Sequence, residues 1–174
     1  KSVIFVSNSV TASGERKFSI SIGQANYLPS TGHYYEYISF PGITWSDAKL
    51  AAETSEYYGL IGYLATITSD EEAQLSGEQA AGTGWIGGSD QDVEGVWRWK
   101  TGPEGLENGG QGRQFWQGNW SGSPTAPDFY AFWNTNPNEP NNQGGEDYAH
   151  ITAPTIGVRG SWNDLSNTGD TNPS

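Results

Sequence analysis

The sequence predicts an α+β domain in which two helices flank antiparallel sheets. Helical periodicity with capping residues is confined to one stretch, Trp45 to about Ala80. Short alternating or apolar runs, punctuated by Gly, Pro and Asn, lie on both sides of it. Finally, 24 Gly alongside eight Trp, nine Tyr and six Phe in 174 residues suit a loop-rich fold anchored by large rings, since disordered chains are poor in aromatics.

Val3-Ile4-Phe5-Val6 reads as a buried strand, and Phe18, Ile20 and Ile22 alternate with Ser19 and Ser21 as a half-buried one. With the turn Ala12-Ser13-Gly14-Glu15 between them, residues 1–23 are expected to form a β-hairpin. A Pro/Ser/Gly connector around Leu28–Gly32 leads to an aromatic strand, Tyr34–Ile38, whose edge Phe18–Ile22 is expected to cover. Thr44 caps a helix from Trp45 to about Tyr57, with Asp47 at its third position. Ser69 caps another from Asp70 to about Ala80, with Glu72 closing a capping box. Beyond it the expected strands are 85–87, 96–99, 130–132, 148–151 and 160–163, and 101–128 reads as a long loop of the kind that is usually functional.

Eight Lys+Arg against 20 Asp+Glu leave a net charge of −12. Only Arg16-Lys17 are adjacent bases, so the clustered positive charge that displaces counterions from phosphates is missing, and nucleic acid is not an expected partner. No apolar run approaches the roughly 18–20 residues of a membrane span, so no membrane insertion is expected. The absence of Cys excludes a disulfide framework, a thiolate metal site and a cysteine nucleophile.

Asn138-Glu139-Pro140-Asn141-Asn142-Gln143-Gly144-Gly145-Glu146-Asp147 concentrates carboxylates and amides without one Lys or Arg. Such a loop repels itself unless a cation is present, and these are the hard oxygen ligands that Ca²⁺ prefers. Six to eight oxygens are needed, and Asn163-Asp164 and Asp90-Gln91-Asp92-Val93-Glu94 offer more. The plainer reading is that such acidic loops are simply solvated.

These clusters, with Trp45-Ser46-Asp47-Ala48, Leu64-Ala65-Thr66-Ile67, Trp85-Ile86-Gly87-Gly88, Glu139-Pro140-Asn141 and Trp162-Asn163-Asp164, run in an order that resembles the C-type lectin-like domain from Tyr34 to about Asn167. The resemblance implies a domain over 34–174, preceded by a hairpin segment and connector over 1–33. It implies a cis peptide before Pro140 and a sugar-binding Ca²⁺ held by Glu139, Asn141, Glu146, Asn163 and Asp164. Of these, Glu139, Asn141, Glu146 and Asn163 would also touch the glycan. A second, structural Ca²⁺ would fall to Asp90, Glu94, Glu146, Asp147 and Asn142, an amide where an acid is common. Glu-Pro-Asn resembles the mannose, glucose and fucose class. Ala52, Tyr148 and Asn167 stand where half-cystines are expected, as in cysteine-free bacterial members, and the family's final strand after Trp-Asn-Asp is expected to be missing.

The function expected is Ca²⁺-dependent glycan binding without catalysis, at an extracellular or cell-surface location as part of a larger secreted protein. The alternative is an adhesive or protein-binding module whose Ca²⁺ only orders its loops. Asp90, Glu94, Glu146 and Asp164 are numerous enough for a glycosidase pair, but they sit among amides and Gly as cation ligands do. The formylglycine-generating enzymes share the fold, yet their chemistry runs on cysteine. His33 and His150 lie in no catalytic or metal motif, and His150 is expected to be a strand residue whose ring hydrogen-bonds. Trp97, Trp99, Trp116, Trp120 and Trp133 offer a platform for stacking on sugar, Trp116 or Trp120 before the others, whereas the plainer reading makes such rings core anchors for long loops. Asn119-Trp120-Ser121 fits the N-glycosylation sequon.

Overall fold

The computed structural model describes residues 20–22, 25–79, 83–152 and 155–169. The expected strand at 3–6 and its turn therefore lie outside the described residues, as do 170–174.

Strands β1 (Ile20–Ile22), β2 (Ala25–Leu28) and β3 (His33–Tyr35) form an antiparallel sheet in that order. This corrects the expected pairing: β1 meets β2, with Ile20 opposite Tyr27, and it is β2 that meets β3, with Tyr27 opposite Tyr34. The presumed connector is thus itself a strand and a hairpin turn. Pro29-Ser30-Thr31-Gly32 closes with Gly32 N–H on Leu28 O at 2.9 Å, and Tyr27 and Tyr34 face each other at 4.9 Å. β3 stops at Tyr35, and Ile38 is exposed.

Helix α1 (Trp45–Thr54) begins as expected, with Thr44 Oγ1 accepting from Asp47 N–H. It ends three residues early. Thr54 and Ser55 turn their hydroxyls back onto the Leu50, Ala51 and Ala52 carbonyls, and Tyr58 and Gly59 both adopt left-handed φ, at 50° and 80°. That pair makes the tight hairpin joining β4 (Glu56–Tyr57) to β5 (Leu60–Ile61). Helix α2 (Asp70–Gln79) carries the expected box with an extension. Glu72 N–H bonds Ser69 Oγ, while the Glu72 carboxylate, only 2% exposed, reaches back to Thr68 N–H at 2.7 Å and takes the Tyr35 hydroxyl at 2.6 Å.

The main sheet is built from β6 (Gly84–Ser89), β7 (Val96–Trp99), β8 (Gln114–Gln117), β9 (Ser123–Pro124), β10 (Tyr148–Ile151) and β11 (Trp162–Leu165). Their order across it is β11-β10-β6-β7-β8-β9, every pair antiparallel. The short helical turns α3 (Gly102–Gly105) and α4 (Glu107–Gly110) precede β8. The expected loop over 101–128 therefore holds two helical turns and two strands. They escape an apolar count because β8 buries only Phe115, with Trp116 part-exposed and a Gln at either end, so one inward ring carries the strand. Residues 130–132 are not a strand, although Phe132 O accepts Trp162 N–H at 2.7 Å beside a parallel bridge between Trp133 and Trp162.

Trp97, Trp99, Phe115, Trp133 and Trp162 fill the core with Ile67, Ile86 and Ile151. Trp99 stacks on Phe115 at 4.4 Å and meets Trp162 edge-on at 5.5 Å, the arrangements aromatic quadrupoles favour. Gly87 and Gly88 are needed at this density. A Cβ on Gly87 would collide with Thr101 Oγ1, and one on Gly88 would press on Ala149 at 3.1 Å. Of the positions where half-cystines are expected, Asn167 accepts hydrogen bonds from Trp45 N–H (2.9 Å) and Ser46 N–H (3.0 Å), and Tyr148 packs on Trp45 at 4.7 Å.

Candidate functional site

Strands β10 and β11 bring the candidate ligands together. Their register sets Ala149 opposite Asp164 and His150 opposite Asn163, and the oxygen-rich loop 138–147 leads directly into β10. Asp164 is fully buried, and its two oxygens accept Asn141 N–H at 3.0 Å and Asn142 N–H at 2.8 Å. One carboxylate on β11 thus pins the loop. The Glu139–Pro140 peptide is cis, as the resemblance implies, and so is Asn136–Pro137.

Glu139 is 4% exposed, and burial followed by the nearby Asp164 charge pushes its carboxyl well above the usual carboxylate range. Asp164 is raised too, by burial, with the Asn142 and Asn141 N–H groups opposing. Asn141 and Glu146 meet across a single donor. Gln143 N–H points to Asn141 Oδ1 at 2.7 Å and to Glu146 Oε2 at 2.9 Å. Asn163 donates through Nδ2 to His150 Nε2 at 3.0 Å. Burial holds His150 neutral by pushing its imidazole down to about 4, and its Nδ1 lies 2.9 Å from Ile151 O.

The second cluster is assembled in part. Asp90 is buried, with one oxygen on Gly95 N–H at 2.8 Å. Desolvation, opposed by that bond and aided by the charges of Glu94, Asp147 and Asp164, lifts its carboxyl to about 7. Asp147 approaches through its backbone, where its carbonyl accepts Asp90 N–H at 3.2 Å. Asn142 is engaged elsewhere: with φ at 53°, it accepts Glu146 N–H on Oδ1 at 2.8 Å.

Among the described residues no three His, Asp or Glu side chains gather as a metal cluster. The donor set nonetheless suits a hard cation, because amide and carboxylate oxygens share the work. Glu139 Oε2, Asn163 Oδ1 and Asp90 Oδ1 are all buried without a hydrogen-bond partner. A buried, unpaired oxygen costs about 1–3 kcal/mol, and a cation would complement these oxygens, as a proton on the raised Glu139 or Asp90 carboxyl would in its absence.

Beside Glu139 a cleft of about 150 Å³ opens between Trp116, Trp120 and Trp133. Trp120 is 55% exposed, whereas Trp97, Trp99 and Trp133 are buried anchors as expected. The turn carrying Trp120 is held by Asn119 Oδ1, which accepts Ser121 N–H at 3.0 Å and its hydroxyl at 2.8 Å. Sequence reading missed the pivotal Gln143 N–H and the partnership of His150 with Asn163. The latter was within reach, since both strands were read and only their register was lacking.

No family model matches the chain. It is 40% identical over 130 residues to Halomucin of Haloquadratum walsbyi, covering 74% of this chain and 1% of that protein. It is 32% identical over 104 residues to the gorilla C-type lectin domain family 4 member M, covering 58% of this chain and 20% of that protein. It therefore spans only a small part of either relative. Among solved structures it is similar to the cow C-type carbohydrate-recognition domain of CD23, crystallised in the presence of a GlcNAc2Man3 oligosaccharide, with TM-score 0.51, 24% identity and 91% and 90% of the two chains covered. A calcium-independent type II antifreeze protein matches at TM-score 0.51 and 24% identity over 92% of each chain. Similarity at that identity speaks to fold, and it agrees with the order of motifs and with the β10–β11 site. The chain has the C-type lectin-like fold.

Proposed function

We propose that this domain binds Ca²⁺ through Glu139, Asn141, Glu146, Asn163 and Asp164, and through it a glycan presenting a mannose-type pair of equatorial 3- and 4-hydroxyls, without catalysis. The observation that carries the reading is the pair of buried, partnerless oxygens, Glu139 Oε2 in the loop pinned by Asp164 and Asn163 Oδ1 on β11 beside it. The bound cation supplies a Lewis-acidic centre to which two vicinal hydroxyls give lone pairs. Glu139 and Glu146 would then accept hydrogen bonds from the two hydroxyls, and the Asn141 and Asn163 amides would donate to the remaining lone pairs. Acid and amide alternate, so the order Glu-Pro-Asn selects the diol. Trp120, exposed at the cleft beside Glu139, adds a stacking face for a neighbouring ring.

Asp90, Glu94 and Asp147, with Glu146, would hold a second Ca²⁺ that steadies the loop, and Asn142 joins them only if it leaves the Glu146 N–H. Open sites of this kind bind at roughly 10⁻⁴ to 10⁻³ M, which fits an extracellular or cell-surface setting. The alternative, a protein-binding or adhesive module using Ca²⁺ only to order its loops, has the exposed Tyr58, Leu60 and Ile61 of the β4–β5 hairpin in its favour.

Calorimetry with methyl mannoside and methyl galactoside, in Ca²⁺ and in EDTA, tests the proposal. Mannoside binding that EDTA abolishes is expected. The double change Glu139→Gln with Asn141→Asp, which keeps net charge, should weaken it at least about tenfold, a loss of roughly 1.4 kcal/mol, while fold and Ca²⁺ uptake persist. Galactoside preference in the unaltered domain, or no effect of the exchange, contradicts the sugar assignment; Ca²⁺ uptake with no sugar binding selects the alternative.

A further inference from the structure

We infer that His150 is a positioning residue that fixes which end of the Asn163 amide faces the cation site. The inference rests on the Ca²⁺ reading above and begins at a backbone carbonyl. His150 Nδ1 lies 2.9 Å from Ile151 O. A carbonyl oxygen offers only lone pairs, so Nδ1 carries the hydrogen, and the other nitrogen of a neutral imidazole is then a bare acceptor. That acceptor, Nε2, stands 3.0 Å from Asn163 Nδ2 across the His150–Asn163 register pair. With the amide reversed, lone pair would meet lone pair. The ring thus locks Nδ2 inward and leaves Oδ1 at the opposite end, where it is buried without a partner.

Polarity therefore runs one way, from the Ile151 carbonyl through ring and amide to a single unpaired oxygen. Packing restricts the ring: His150 is 5% exposed and lies T-shaped to Trp85 at 5.9 Å. The arrangement also explains an amide at 163. An aspartate there has no N–H for Nε2 and would set a charged oxygen against its lone pair. Asparagine satisfies the ring with one amide hydrogen, keeps the second for a ligand hydroxyl, and presents Oδ1 to the ion.

The test has two parts. In the calcium-free, unaltered protein at neutral pH, ¹⁵N NMR of His150 should show its proton on Nδ1 and a bare Nε2. Calorimetric titration with CaCl₂ should then show affinity about 10- to 100-fold lower in His150→Leu, as for other residues that orient metal ligands, and recovered to within about threefold in His150→Gln, whose Oε1 can take the place of Nε2. A proton on Nε2, a folded Leu variant with unchanged Ca²⁺ affinity, or a Gln variant as weak as the Leu one would overturn the inference. If the Leu variant does not fold, the tautomer and the Gln variant still decide. If the unaltered protein takes up no Ca²⁺, the cation reading fails, and the tautomer alone judges the orientation of Asn163.

Discussion

Trp162 and Asp164 sit on the same face of β11, about 7 Å apart, and both are fully buried, yet their surroundings differ in kind. Trp162 lies among Trp99, Phe115, Tyr130 and Trp133, with ring centroids at 5.5–6.0 Å. Asp164 lies against Glu139 under a loop that holds its oxygens in place with backbone N–H groups. The aromatic region is closed by ring contacts, and its unmet polar groups are donors, the buried Trp133 and Trp162 indole N–H. The acidic region has acceptors left over, so one strand joins an apolar core to a site that a cation would complement.

The sharpest way to break this contrast is at the core. Trp162→Ala should remove about 3–5 kcal/mol of stability, a large share of the roughly 5–15 kcal/mol of a typical domain. Urea titration should show the loss equally in Ca²⁺ and in EDTA. Two residues further on, the outcome should separate by condition. Asp164→Asn keeps the volume and removes the charge, so the Ca²⁺-dependent gain should vanish. At a hundredfold excess over Kd that gain is about 2.7 kcal/mol, or roughly 5–10 °C for a domain of this size, read as the difference between melts in Ca²⁺ and EDTA.

The aromatic core was legible wherever a motif carried it. Trp85-Ile86-Gly87-Gly88 and Val96–Trp99 read directly as strands, and Thr44 and Ser69 announced both helix starts. What escaped depended on partners distant in sequence. Phe115 marks β8 only once Trp99 lies beside it, and α1 gives way to a hairpin because Tyr58 and Gly59 turn left-handed, which no helical period reveals. At the site, the oxygen-rich segments were legible as composition, and the β10–β11 register brings them together. That Asn142 turns to Glu146 N–H, and that His150 meets Asn163, are consequences of loop and ladder geometry that a linear sequence does not express.

A smaller effect should appear in pH dependence. Asp90 titrates near 7 in the fold, and Glu139 is raised as well, against ordinary values near 4. The calcium-free fold therefore binds more protons than the unfolded chain between those values. Its stability from these groups is fully present below about pH 4 and is lost as pH rises through the folded values. Melting in EDTA should fall by several degrees from pH 5 to pH 8. With Ca²⁺, which binds the ionised carboxylates, the gap between the two melts should widen over the same interval and nearly close at pH 5. A constant gap would argue that these carboxylates do not face the ion.

The most direct measurement follows the two regions at once by amide hydrogen exchange with and without Ca²⁺. Adding the ion should slow exchange at Asn141, Asn142, Gln143 and Glu146, whose N–H groups hold the site's oxygens, while Trp97, Trp99 and Phe115 in the core change little. Uniform protection of both regions, or none in residues 139–147, would contradict the claim that the loop alone awaits a cation.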